Sequence, residues 1–400
     1  MKVLRVAWQY LLSRPLAAAL NLLLLVMGLG SITFLLLVNA QLDQAFERDL
    51  AGIDVVVGAK GSPMQLILAG VFHIDVPPGN IPLVAVQELQ NNVQVAQLIP
   101  ISLGDTLRGF RIVGTSPAYL SHYAAVLAQG SPWAQPMQAV LGAQVARHTG
   151  LVPGNRFLGS HGLGASGHEH GDNPYLVTGI LASCGCVLDR LVLTATESVW
   201  QVHEKATAQD EEDQKALEAE REITLALITY KSPLAAASFP RFINTQTDMQ
   251  AAAPAVEITR LLRMVGVGTD VLRGFGAVLL LTAGLSVFIA LWNAVRERRA
   301  DLAMLRMLGA SPAKVAGLVV CEALLLALAA TVLGLLLGHG LTHLAGYWLQ
   351  AERSLPLTGW TWLVVEWWVP TLGVGVASLA ALLPAWGAYR LDVTTLLNAR

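Results

Sequence analysis

Apolar residues gather into four long runs along this chain, and polar residues fill the stretches between them. A helix crosses a hydrocarbon core of about 30 Å with about 20 apolar residues. Residues Leu16 to Val38 meet that length without a charge, as do Gly274 to Val295. Val315 to Leu341 carries one acid, Glu322, and Trp367 to Tyr389 contains Pro370 and Pro384. The pattern predicts four spans at 16–38, 274–295, 315–341 and 367–389. A cleaved signal peptide has an apolar stretch of only about 7–15 residues, so the first span reads as an anchor that is kept.

Between the first two spans the pattern changes to short β-like runs. Asp54–Val57, Val93–Ile101, Phe110–Gly114, Tyr175–Leu181 and Arg190–Thr194 are rich in Val, Ile and Leu and bounded by Gly, Pro or Asn. Helical spacing is read at Gln138–His148 and Ala255–Met264. Residues 40–270 therefore form an α+β domain inserted between helices 1 and 2 of a four-helix membrane protein. Glu204 to Glu222 holds eight acids and three bases, and the run 203–222 reads as a solvated insertion.

Composition agrees with a membrane chain. Hydrophobic residues are 54% and charged residues 14% of the 400, too few charges to cover a soluble surface of that size. Mean hydropathy is +0.54. The net charge of −2 leaves no footprint for nucleic acid, and three cysteines exclude a disulfide-dense scaffold.

Lys and Arg set the orientation. Lys2, Arg5 and Arg14 precede the first span, Arg296, Arg298, Arg299, Arg306 and Lys314 lie between the second and third, and Arg390 and Arg400 follow the fourth. Positive charge collects on the cytoplasmic side. This places the N-terminal segment 1–15, the 296–313 connection and the tail 390–400 in the cytoplasm, and the α+β domain and the 342–366 loop outside. Trp348, Trp360, Trp362, Trp367 and Trp368 mark the outer interface, where contact is with membrane lipids.

The 296–313 connection is rich in helix formers, with Leu302, Leu305 and Leu308 spaced as an apolar stripe. Gly309 suits a helix end, and Ser311-Pro312 suit the start of the next. Physics alone leaves an interfacial turn and a docking helix equally open. Arg298-Arg299-Ala300-Asp301-Leu302-Ala303-Met304-Leu305-Arg306-Met307-Leu308-Gly309-Ala310-Ser311 resembles the cytoplasmic signature of the FtsX-like ABC permeases. Leu383-Pro384-Ala385 through Leu397 is similar to that family's C-terminal motif, with Val393 where the family has Pro. Leu141–Ala146, Gly150–Asn155, Tyr175–Leu181 and Asp189-Arg190 resemble, in order, the periplasmic core of MacB-type and LolC/LolE-type members.

The resemblance implies a non-catalytic inner-membrane permease subunit of the mechanotransmission kind, for export or extraction of a substrate. A separate ABC ATPase would bind ATP and dock on Glu297, Arg298, Arg299, Asp301, Leu302, Leu305, Arg306, Leu308 and Gly309. A second permease chain, identical or paralogous, would complete the assembly, with a periplasmic or outer-membrane partner beyond it. The alternative is a transmembrane signal transducer acting on a periplasmic partner such as a cell-wall hydrolase.

Gly58-Ala59-Lys60-Gly61-Ser62-Pro63 lacks the spacing of a phosphate loop, and Gly162–Gly167 matches G-x-G-x-x-G without a βαβ setting. His161, His168 and His170 fall in a Gly-rich loop, 160–173, and with Cys184 and Cys186 form a candidate zinc site, against the reading of a solvated loop. His168-Glu169-His170 is not the two-histidine spacing of a metalloprotease. Cys184-Gly185-Cys186 reads first as a free or strained pair at a turn, then as a soft-metal pair, and last as a redox site. Glu322 is read as snorkelling or as pairing with a second chain.

Overall fold

The computed structural model describes residues 3–160, 173–207, 217–218, 220–351 and 357–391. In chain order it begins with α1 (Val3–Ser13) and the 36-residue α2 (Pro15–Leu50). The α+β region follows as β1 (Val55–Ala59), α3 (Pro63–Gly70), β2 (Ile81–Pro82), α4 (Leu83–Gln90), β3 (Val95–Leu107), β4 (Phe110–Thr115), α5 (Ala118–His122) and β5 (Leu127–Gly130). It continues with β6 (Gln138–Leu141), α6 (Ala143–Thr149), β7 (Arg156–Phe157), β8 (Tyr175–Leu181), a 3₁₀ turn (Val187–Arg190), β9 (Leu191–Ala195) and α7 (Thr196–Thr207). Its last elements are β10 (Glu222–Ile223), β11 (Leu225–Tyr230), α8 (Ala235–Gln246) and β12 (Met249–Ala252). The chain then returns to long helices: α9 (Pro254–Glu297), α10 (Arg299–Met307), α11 (Pro312–Ala351) and α12 (Trp368–Tyr389).

These elements divide into two compact units, Gln44–Arg263 and the remainder. The expected α+β domain therefore lies between the first two long helices. Among the described residues, four helices are long and apolar enough to cross a membrane: Pro15–Leu50, Asp270–Glu297, Pro312–Leu349 and, with a short 3₁₀ lead-in, Val364–Tyr389. The first is about 54 Å long at 1.5 Å per residue, well beyond the hydrocarbon thickness. The apolar run marks where a span lies, and the helix around it is longer.

In the α+β unit most strands build one sheet in the order β12-β1-β11-β3-β4-β9-β6-β8-β5, with β7 beside β8, while β2 and β10 pair as a separate two-stranded sheet. Pairing is antiparallel except for β4–β9 and β6–β8. Alternate side chains enter cores on opposite faces, as the strand repeat requires. Val56, Val113, Leu191, Leu193, Leu225 and Leu227 join Leu66, Ile67 and Tyr119 on one face. Val55, Val57, Ala226 and Ile228 meet Val86, Phe239 and Ile243 on the other, and Phe110, Ile112 and Val192 meet Val145 and Val202. One expectation is corrected here. Gln138–His148 is not one helix, because Gln138–Leu141 pairs as β6 with β8 and β9 before α6 begins at Ala143.

In the helical unit, small residues set the spacing. Ala323, Ala327 and Ala330 of α11 share a buried core with Ala377, Ala381, Ala385 and Ala388 of α12, and small side chains let membrane helices approach closely. Gly30, Gly334 and Gly338 do the same where α2 crosses α11; a Cβ on Gly338 would lie 2.5 Å from Thr33 Cβ. Leu281, Leu328, Leu336, Leu379 and Leu383 face outward and remain exposed, an apolar surface that water does not favour. In the last third of α11, the His339 ring lies 2.7 Å from Gly359 O through Nδ1 and 2.9 Å from Glu366 through Nε2. Gln41 exchanges two hydrogen bonds with the Thr358 backbone.

Candidate functional site

Helix α9 ends at Glu297, Arg298 takes a non-helical turn, and α10 runs for nine residues. Its end is closed by local bonds. Ala310 N–H donates to Leu305 O at 3.0 Å and Leu308 N–H to Met304 O at 3.0 Å. Gly309 sits at φ +96, the left-handed position that favours glycine. Ser311 and Pro312 then start α11, with Lys314 N–H donating to Ser311 O at 3.0 Å. The capping signals read from the sequence are realised.

The faces of α10 are unequal. Leu302 is buried among Val315, Leu318 and Val319 of the helical core, and Ala303 next to it is also buried. Leu305 is half-buried at a cavity of about 290 Å³ lined also by Val3, Leu308, Lys314 and Leu318. Leu308, by contrast, is 85% exposed, Met304 and Met307 are about half exposed, and Arg299 and Asp301 face outward. The site inferred from sequence is corrected in part: Leu302 anchors the helix to its own bundle and offers nothing to a partner. Met304 and Met307, absent from the sequence-derived set, belong to the exposed face.

Arg298 also turns inward. Its Nη1 donates to Glu322 Oε1 at 2.9 Å, and Nη2 donates to Tyr10 O at 3.2 Å and Ser13 Oγ at 3.3 Å. The guanidinium lies 4.1 Å from the centre of the Tyr10 ring. Burial and the Asp301 charge raise the Tyr10 phenol above its ordinary value, so the ring stays neutral. Glu297 pairs with Arg14, and Arg306 donates to Leu391 O. Glu322 is thus neither snorkelling nor waiting for a second chain; its partner is Arg298. The result is a polar hub that ties α1, α10 and α11 together, with an apolar ridge of Met304, Met307 and Leu308 on the opposite side.

The metal reading fares differently. His161, His168 and His170 lie outside the described residues, as do Gly162–Gly167 and much of the charged insertion. Cys184 and Cys186 are joined by a disulfide, so neither offers a thiolate. Among the described residues no three His, Cys, Asp or Glu side chains gather as a metal site. Lys60 precedes an ordinary helix start, with Ser62 Oγ accepting from Gln65 N–H at 3.5 Å.

Residues 18–232, over half of the chain, match the MacB-like periplasmic core domain, and residues 273–393 match the FtsX-like permease C-terminal family. No curated protein matches the chain. Among solved structures, the periplasmic region of MacB from Actinobacillus actinomycetemcomitans is 13% identical, with a TM-score of 0.34, covering 53% of this chain and 95% of that one. The extracellular domain of the noncanonic ABC-type transporter YknZ from Gram-positive bacteria is 11% identical, with a TM-score of 0.31, covering 49% and 98% respectively.

Proposed function

The chain belongs to the FtsX- and MacB-like family of ABC permeases, and on that premise we propose that it is the membrane subunit through which a separate ABC ATPase moves an extracytoplasmic domain. The helical unit lies in the inner membrane, with the termini and α10 in the cytoplasm and the α+β unit outside. The ATPase docks on the ridge of Met304, Met307 and Leu308, flanked by Arg299 and Asp301. Two permease chains serve a pair of ATPase subunits. This chain carries no chemistry of its own; it conveys motion for export or extraction of a substrate.

The observation that carries this reading is the split between the two sides of α10. A helix that only turned the chain would bury its apolar residues or leave them scattered. Here the inward side is fixed by Leu302 and the Arg298–Glu322 hub, while three apolar side chains protrude from the other. A lever needs both a rigid attachment and a free contact face. The test is ATP hydrolysis by a candidate ABC ATPase partner from the same genome, measured with the permease in nanodiscs. Leu308→Asp abolishes stimulation without lowering the melting temperature, whereas Leu302→Asp unfolds the bundle because it buries a charge. Full stimulation by the Leu308 variant would defeat the proposal.

A further inference from the structure

Cys184 and Cys186 close a disulfide across one residue, with Cα atoms 5.1 Å apart. A crosslink stabilises chiefly by restricting the unfolded chain, and the effect shrinks with the loop it closes. A ring with one intervening residue is nearly the smallest available, so this bond contributes little as a staple. Its surroundings are built around it nonetheless. The Asp189 carboxylate accepts from Ser183 Oγ at 2.7 Å, Cys184 N–H at 3.0 Å and Gly185 N–H at 2.9 Å.

The last turn of α2 grips the same loop. Asp49 accepts from Val187 N–H at 2.9 Å, and Arg48 Nη1 donates to Cys184 O at 3.5 Å. Gly185 sits at φ +65, the left-handed region that favours glycine, and the tip of the Arg48 side chain lies against it. The two sulfurs are placed unequally. Cys186 is 7% exposed within the core beside Val187 and Leu188, whereas Cys184 is half-buried at its edge. Exchange starts at the sulfur a thiolate can reach.

We propose that Cys184-Gly185-Cys186 is a site of reversible thiol–disulfide exchange with a dithiol reductant, and that its state sets the grip of α2's last turn on the 183–190 loop. One thiolate of the dithiol attacks Cys184 Sγ; the S–S bond breaks and Cys186 leaves as a thiolate that takes a proton from solvent. The dithiol's second thiolate then attacks its own sulfur in the mixed disulfide, releasing Cys184 and closing the reagent's disulfide. Two electrons and two protons reach the chain, and the dithiol is oxidised. The freed Cys184 thiol has an acceptor at hand, Asp189 Oδ1, 3.5 Å from Sγ. That new bond competes with the Cys184 amide for the same oxygen and loosens the turn that presents Val187 N–H to Asp49.

The test uses the full-length protein in detergent, with Cys321→Ala so that the pair supplies its only thiols, in buffers of graded reduced-to-oxidised dithiothreitol ratio. Maleimide labelling read by mass counts thiols, and amide hydrogen exchange reads the Val187 bond. The expected result is that two thiols appear together and reversibly in the folded protein, while Val187 exchange rises about tenfold on reduction. Serine at both 184 and 186 removes that response. A pair that resists reduction until the protein unfolds, thiols that stay free in oxidised dithiothreitol, or reduction without change at Val187 would each overturn the proposal. If Cys321→Ala does not fold, peptide-level labelling of the native sequence distinguishes the same outcomes.

Discussion

Arg298 and Glu322, 24 positions apart, form an ion pair 2.9 Å long whose side chains are 13% and 7% exposed. The pair joins the residue just before α10 to the first third of α11, and Arg298 reaches α1 through Tyr10 and Ser13. This contact and Leu302 together hold α10 to the helical core.

Removing one partner leaves the other charge buried and alone, which costs about 3–5 kcal/mol. Glu322→Ala and Arg298→Ala are both expected to lower the melting temperature in detergent clearly. Replacing both with methionine restores most of the loss, since an apolar pair of similar volume needs no counter-charge. Single variants that melt with the parent chain would show that the pair does not hold the hub.

The α2–α11 crossing supplies a second expectation. Gly338 faces Thr33 and the Gly30 carbonyl, whereas a Cβ on Gly340 meets nothing within 4 Å. Gly338→Val overpacks the crossing at a cost of about 1–3 kcal/mol, and Gly340→Val is close to neutral. Thermal unfolding of the two variants side by side checks this, and equal effects would contradict the packing described.

In the α+β unit, stability falls with acid. His73 is buried, its Nε2 lies 3.1 Å from Tyr119 Oη, and Nδ1 has no hydrogen-bond partner among the described residues. Burial, aided by the Arg111 and Arg190 charges, holds the ring well below the ordinary histidine value. The folded chain keeps His73 neutral while the unfolded chain takes a proton below about pH 6.5. The contribution is whole above that pH and is lost as pH falls toward the lower folded value. Between pH 7.5 and 5.5 the parent chain is expected to lose more stability than His73→Gln. His122, also lowered by burial, leaves the variant a residual slope. Identical slopes would exclude His73 as a source.

What the sequence disclosed follows from what each signal depends on. The four apolar runs depend only on composition within a window, and all four fall inside long helices. Phe110 and Tyr175 open strands where the Val-, Ile- and Leu-rich runs bounded by turn residues place them, and Gly309 and Ser311 cap as their chemistry requires. Leu225–Tyr230 was not seen as a strand, because a short apolar run buried on both faces has no period to read. The stripe of Leu302, Leu305 and Leu308 was visible, yet its use was not. Burial fades from Leu302 to Leu308, and only the position of α11 decides which end is covered. Glu322 offered no local clue to Arg298, since their meeting is a consequence of the fold.

The central claim is that the exposed end of α10 is where an ABC ATPase meets this chain. A photo-crosslinking amino acid at position 308, incorporated in the native host and illuminated in intact membranes, tests it most directly. The account predicts one dominant protein adduct, identified by mass spectrometry as a subunit with a Walker A motif, whose yield changes when ATP is depleted. The same probe at position 302 is expected to give no such adduct. An ATPase that crosslinks at 302 or elsewhere on the chain but never at 308 would contradict the account.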